Sequence, residues 1–359
     1  MGNQKFNIID EANFVGSFKG KATCLRTLRN KNGLVVQVTN FGAKIVSIYV
    51  PDRNGKFADV VAGFSSIGEY IGGNPYFGAI CGRYANRIAN ATYTIDGVVY
   101  QLPVNNGPNH LHGGPEGFNN QVFDISDVRN VTHGQAVELS YLCADGEMGH
   151  PGNLNVKVTY TLTEDNELVL DYEATTDKNT HVNICSHSFF NLAGHDGPLV
   201  TDHELMINAK TFTPVNQFQI PIGEFREVKG TSFDFVQMHR IGDHIDDGND
   251  QISYGKGYDH NWVIDKPTGE LGLAAVYHEP TSGRVMEVYT TQPGVQLYTS
   301  NWLDGSDRGK DGVTYQMRSS LCLETQNYPD SPNQPAFPST LLKPGQVYKN
   351  SCVHKFSAK

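Results

Sequence analysis

Apolar residues recur along this chain at every second position rather than at helical spacing, and that period restricts the fold more than any other feature. Leu34, Val36 and Val38 stand at alternate positions, as do Val137, Leu139 and Tyr141, and again Val156, Val158, Tyr160 and Leu162. Successive side chains of a strand point to opposite faces, so these runs read as half-buried strands. Asp96-Gly97, between Tyr93-Thr94-Ile95 and Val98-Val99-Tyr100, has the residue types of a tight hairpin turn. Glu164-Asp165-Asn166 and Pro280 to Gly283 mark two further turns between strands. Helical periodicity is scarce, and short helices are expected only within Ser65 to Tyr70 and Phe235 to Ile245. The expectation is an all-β fold, a large antiparallel β-sandwich. No linker, charge block or internal repeat divides the 359 residues, so one domain spanning 1–359 is expected.

Charge narrows the choice of partners. With a formal net charge of −10 and few Lys or Arg runs, the chain lacks the basic footprint of a nucleic-acid binder and suits an anionic membrane surface poorly. Small neutral or cationic molecules fit better. Six cysteines (Cys24, Cys81, Cys143, Cys185, Cys322, Cys352) are scattered without a CxxC pair and read as reduced core residues. There is no apolar run long enough for a membrane-spanning helix and no signal-peptide pattern at the N-terminus, so a cytoplasmic protein is expected. Gly2 follows Met1, but Phe6 stands where the myristoylation pattern requires Ser or Thr.

Five stretches depart from the alternating pattern. In Ser319-Ser320-Leu321-Cys322-Leu323-Glu324-Thr325-Gln326, a glutamate closes a short apolar strand. Burying a carboxylate costs several kcal/mol without compensation, so Glu324 is either structurally paired or kept for proton chemistry. Gly82-Arg83-Tyr84-Ala85-Asn86-Arg87-Ile88 offers guanidinium forks and an amide that could grip vicinal hydroxyls, or arginines solvated on a loop. Asn109-His110-Leu111-His112-Gly113-Gly114, if extended, puts both imidazoles on one face, with glycines that permit close approach; a surface histidine pair is the plain alternative. Ser186-His187-Ser188-Phe189-Phe190-Asn191, after the expected strand Val182-Asn183-Ile184, holds an imidazole suited to acid or base work, or a satisfied core histidine. Gly257-Tyr258-Asp259-His260-Asn261-Trp262 sets a carboxylate between aromatic residues, as a sugar ring requires, or forms an Asx turn.

Together with Thr291-Gln292-Pro293-Gly294-Val295-Gln296, these motifs resemble the aldose 1-epimerase (mutarotase) family. The resemblance runs in order from Asn40-Phe41-Gly42-Ala43 to Leu342-Lys343-Pro344-Gly345. It implies a large antiparallel sandwich with an open cleft, where the α and β anomers of a free aldohexose such as galactose or glucose interconvert. By motif, the family's general base falls on Glu324 and its general acid on His187. Its sugar-binding positions fall on Asn86, Arg87, His112, Asp259 and Gln296. Opening a hemiacetal ring removes a proton from the C1 hydroxyl and delivers one to the ring oxygen, which a carboxylate and an imidazolium can do without cofactor or metal. Both oxygens hang on one carbon, so the two groups are expected roughly 4 to 8 Å apart. Three rival readings use the same residues. A cupin-like metal site would draw on His110, His112, Glu116 and His187, a glycosidase on Asp259 and Glu324, and a non-catalytic sugar-binding module would need no acid or base.

Overall fold

The computed structural model describes residues 7–74 and 76–359. The lipidation pattern weighed at Gly2 and Phe6 lies outside the described residues. Among them the regular secondary structure is mostly antiparallel sheet. The largest sheet has ten strands. Its centre is formed by the long strands Gly134–Cys143, Leu154–Thr163, Glu167–Thr176 and Tyr348–Ala358, followed by Arg284–Thr290 and Gly272–His278. Leu154–Thr163 alternates buried residues with exposed or half-buried ones along its whole length, so one face enters the core as its period requires.

Two smaller sheets matter for function. One has four strands: Leu25–Arg29, Val35–Thr39, Ile45–Pro51 and Phe57–Asp59. The other has five, in the spatial order Arg226–Glu227, Thr211–Thr213, Asp259–Val263, Gly294–Tyr298 and Cys322–Gln326. One apolar cluster joins all three sheets, with Val36 and Ile48 from the four-stranded sheet, Val158 and Leu170 from the ten-stranded sheet, and Trp262 and Leu297 from the five-stranded sheet. That is the packing of a sandwich, with inner faces interdigitated and polar faces left outside.

The turns fall where their residue types place them. The hairpin over Asp96-Gly97 joins Thr92–Ile95 to Val98–Gln101, with Ile95 paired to Val98 and Asp96 in the left-handed region at φ 51°. Glu164 to Asn166 and Pro280 to Gly283 each connect paired strands. Three local expectations need correction. A short helix forms at Ile67–Gly72, but residues 235–245 hold only the two-residue strand His239–Arg240 and a 3-10 turn. The second α-helix is Asp250–Gly255, where the Asn249 side chain accepts the Ile252 N–H and so caps the first turn. The strand expected at residues 182–184 is displaced to Cys185–His187, which pairs with Ala79–Cys81, because Val182 and Asn183 are held by Thr340 and Arg83.

Candidate active site

The five-stranded sheet has a polar face, and pairing register creates it. Gln296 lies directly opposite Glu324 on one side and Asn261 on the other; two residues along, Tyr298 lies opposite Cys322 and Asp259. Asp259, Gln296, Tyr298 and Glu324 therefore point to one face, while Trp262, Val295, Leu297 and Leu323 on the other face enter the core. Glu324 is the middle residue of its strand rather than its end, and only 2% of it is exposed.

Above this face the short strand Cys185–His187 carries the imidazole. His187 Nε2 lies 3.5 Å from Glu324 Oε1, shorter than the separation expected from sequence. That estimate set the two groups on either side of the acetal, whereas they approach side by side. The His187 ring packs against Tyr76, His112, Phe189 and Tyr298, with centroids 4.9 to 6.1 Å away. Burial, with the Asp259 carboxylate adding to it, pushes Glu324 up to about 8, and burial drives His187 down to about 4. Between those limits the pair holds one ionisable proton, which rests on Glu324; its passage across the 3.5 Å gap to His187 Nε2 gives the carboxylate–imidazolium form of the pair.

Two loop residues in strained backbone complete the donor set. Asn86 and His112 adopt left-handed φ values of 62° and 52°, and each ties the other down. The Asn86 N–H donates to His112 Nδ1 at 3.1 Å, and the His112 N–H donates to the Asn86 carbonyl at 3.0 Å. A Cβ on Gly113 would collide with the Gly82 carbonyl oxygen, so this glycine serves backbone packing rather than ligand approach. The turn at His112 also separates the two histidines expected to share a face. His110 instead bonds the Pro103 carbonyl through Nδ1 and packs on His150.

Arg87 donates from Nε to Asn106 Oδ1 at 2.9 Å and from Nη2 to Gln219 Oε1 at 2.6 Å, and Nη2 lies 3.4 Å from Asp259 Oδ2. Asp259 accepts from Gln219 Nε2 and from Gln296 Nε2, both at 2.7 Å. These groups surround a cavity of about 350 Å³, at the small end of ligand pockets and suited to a monosaccharide. Glu324, His187, His112, Asn86, Arg87 and Asp259 all reach it. Gln296 does not line it; it stands behind Asp259 and orients that carboxylate.

Other expectations changed. Arg83 is buried and bonds the Pro151 carbonyl and Thr180 Oγ1, away from the cavity. Tyr258 and Trp262, flanking Asp259 in sequence, lie wholly in the core. The aromatic faces come instead from Tyr76, Phe189, Tyr298 and the 51%-exposed Trp302. Sequence reasoning missed Gln219, Asn106 and these rings. Strand parity could have found Tyr298, two positions after Gln296, but no local signal marked Gln219.

His112, His187 and Glu324 place potential metal-ligating atoms within 4.8 Å of one another. The donor chemistry does not fit a metal. A neutral imidazole has one lone pair, and in His112 it already accepts the Asn86 N–H, so Nε2 carries the proton and acts as a hydrogen-bond donor. Burial and the neighbouring His187 and Arg87 charges keep the His112 ring neutral. Glu116, the carboxylate of the cupin-like reading, is instead paired with Lys19 on the surface.

The family model described as aldose 1-epimerase matches residues 25–355. The chain belongs to the aldose 1-epimerase family. A galactose mutarotase from Sus scrofa is 44% identical over 338 residues, covering 94% of this chain and 95% of that protein. An aldose 1-epimerase from Escherichia coli (strain K12) is 36% identical over 342 residues, covering 94% and 96%. Among solved structures, an aldose epimerase homologue from C. elegans superposes with a TM-score of 0.85 at 32% identity, covering 94% of this chain and 99% of that one. These relatives and the paired sheets bear out the all-β sandwich expected from the alternating pattern.

Proposed function

We propose that this protein interconverts the α and β anomers of free aldohexoses, galactose among them, with Glu324 as general base and His187 as general acid. The observation that carries the assignment of roles is the 3.5 Å approach of His187 Nε2 to Glu324 Oε1 at the floor of a sugar-sized cavity walled by hydrogen-bonding side chains. From the form in which the pair's proton has passed to His187 Nε2, Glu324 takes the C1 hydroxyl proton as the bond between C1 and the ring oxygen breaks, and the ring oxygen takes the proton from His187 Nε2. The product is the open-chain aldehyde. Rotation about C1–C2 presents the opposite carbonyl face, and closure runs the same transfers in reverse. One proton leaves and one arrives, so the pair's single proton is conserved. His112 Nε2–H donates to a substrate oxygen, Asn86 binds beside it, and Arg87 and Asp259 hold vicinal hydroxyls, with Gln296 fixing Asp259 from behind.

Neither a glycosidase nor a passive sugar-binding module explains the pair. Both Asp259 oxygens are already held by amides, which suits an acceptor for hydroxyls, and sugar binding alone has no use for a carboxylate buried at such cost. Polarimetry of freshly dissolved α-galactose tests the reading. The protein should speed the decay of optical rotation, and kcat/KM should be bell-shaped, with limbs near 4 and 8 where the pair gains a second proton or loses its last one. A rate that climbs monotonically through both limits would exclude a shared proton as the catalytic element.

A further inference from the structure

The Glu324 carboxylate has an unusual second partner. While Oε1 faces His187, Oε2 accepts a hydrogen bond from the Cys185 thiol at 3.6 Å, within the longer reach of sulfur. Among the described residues this is the only hydrogen-bond donor seen on Glu324 apart from the histidine it works with. We propose that Cys185 is a positioning residue for the epimerase reaction: its S–H fixes the rotamer of Glu324 and, as a weak donor, sets how firmly the carboxylate holds its charge. The inference rests on the reading of Glu324 as the base.

Geometry makes Cys185 suited to this. It lies two residues before His187 on the same strand, so both side chains descend from one face and grip the two oxygens of one carboxylate. Cys81 pairs directly across from Cys185 on the neighbouring strand, which backs the Cys185 side chain, while the Cys185 sulfur lies 3.6 Å from Oε2. Both cysteines are fully buried, and the Cys81 side chain, burial and the nearby Glu324 carboxylate, in that order, raise the Cys185 thiol and hold it in its protonated form.

The groups facing Glu324 come from every side. His187 and Cys185 lie on one strand and Cys81 on the strand behind it; Cys322 is on its own strand and Tyr298 on the next; Asp259, Arg87 and His112 stand across the cavity. Asp259 disfavours the carboxylate and Arg87 favours it, but both also bind sugar. Cys185 is neutral and does not line the cavity, so it can adjust the base without altering recognition. A hydroxyl would hydrogen-bond a carboxylate more strongly than a thiol does, and a methyl group would not do so at all.

Cys185→Ala and Cys185→Ser, both small enough for the site, separate this role from packing. The pH dependence of kcat/KM for α-galactose and the protonation of Glu324 would be followed together, the latter by the infrared carboxyl band that disappears in Glu324→Gln. In Cys185→Ala the alkaline limb and the carboxyl midpoint should both move up, by about half to one pH unit. In Cys185→Ser both should move down by a similar amount, since a tenfold change in an equilibrium is one unit. A loss of packing alone would lower the rate of both variants without moving the midpoint in opposite directions. A midpoint that stays put in both variants overturns the proposal. A midpoint that moves as described while the rate profile stays fixed would leave Cys185 as the residue positioning Glu324 and overturn the reading of Glu324 as the base.

Discussion

Glu324 costs the fold what it provides to the chemistry. Burial raises it from the usual glutamate range to about 8, so the native state binds its proton more tightly than the unfolded chain. The sign follows: the contribution is fully present below the unfolded value near 4.5 and is lost as pH rises through about 8. Glu324→Gln should therefore remove at least about 99% of kcat, since acid–base help is worth roughly a hundredfold or more, while raising the melting temperature at pH 9. A variant that keeps more than a tenth of kcat, or that melts lower at pH 9, would contradict this account. Arg87→Ala and Asp259→Ala should act on binding, because each leaves a hydroxyl or a buried partner unpaired. KM should rise by the equivalent of about 1 to 3 kcal/mol, measured by initial-rate polarimetry over several hexoses. Since His112 has no free lone pair, EDTA should leave the rate unchanged; activity lost in EDTA and restored by zinc would require the His112 ring to turn over.

At the scale of elements, the site is made where a rigid sheet meets irregular loops. Strand pairing sets Glu324, Gln296 and Asp259, whereas Asn86, His112 and Gln219 sit on loops with left-handed backbone, at φ 62°, 52° and 60°. Such strain survives only where surrounding contacts fix it, as the reciprocal bonds of Asn86 and His112 do. Gln219 bridges Arg87 to Asp259 and so keeps both side chains aimed at the cavity. Gln219→Leu should raise KM several-fold with little change in kcat, because the bridge holds binding groups and touches neither proton-transfer group. If kcat fell as steeply as in Glu324→Gln, this loop would have to take part in the chemistry. The short strand Cys185–His187 belongs to the same junction; its pairing with Ala79–Cys81 fixes His187 against Glu324.

Across the whole molecule, one apolar cluster extends from Leu28 to Phe356 and draws on all three sheets. We propose on this ground that residues 1–359 form one domain, which should unfold in a single cooperative transition with coincident near- and far-ultraviolet signals. Two separate transitions would require a boundary that this core lacks. Inside the fold, Lys310 Nζ donates to Asp59 Oδ2 at 2.6 Å and to the Val46 and Val61 carbonyls at 2.8 and 2.7 Å, pinning a distant loop to the four-stranded sheet. Lys310→Met would leave a buried carboxylate without its cation and should cost about 3 to 5 kcal/mol in denaturant unfolding. The double variant with Asp59→Asn should recover part of that loss, as the uncompensated charge is gone.

The alternating period, the Asp96-Gly97 turn and the ordered motifs were enough to set the all-β class, and they carried the resemblance that named Glu324, His187, Asn86, Arg87, His112 and Asp259, all of which reach one cavity. Local sequence determines these features because strand parity and turn chemistry act between near neighbours. What only the tertiary structure decided depends on residues far apart in the chain. Register moved Gln296 behind Asp259 and buried Tyr258 and Trp262, and the fold brought Tyr76, Phe189, Tyr298 and Trp302 to the cavity instead. Arg83 resembles Arg87 in sequence but was taken by the Pro151 carbonyl and the Thr180 hydroxyl, and His110 was turned away from His112 by the left-handed backbone of His112 itself. The contact between Cys185 and Glu324 spans 139 positions. No neighbour in sequence constrains such a pair; it exists because two strands from opposite parts of the chain meet at one buried carboxylate.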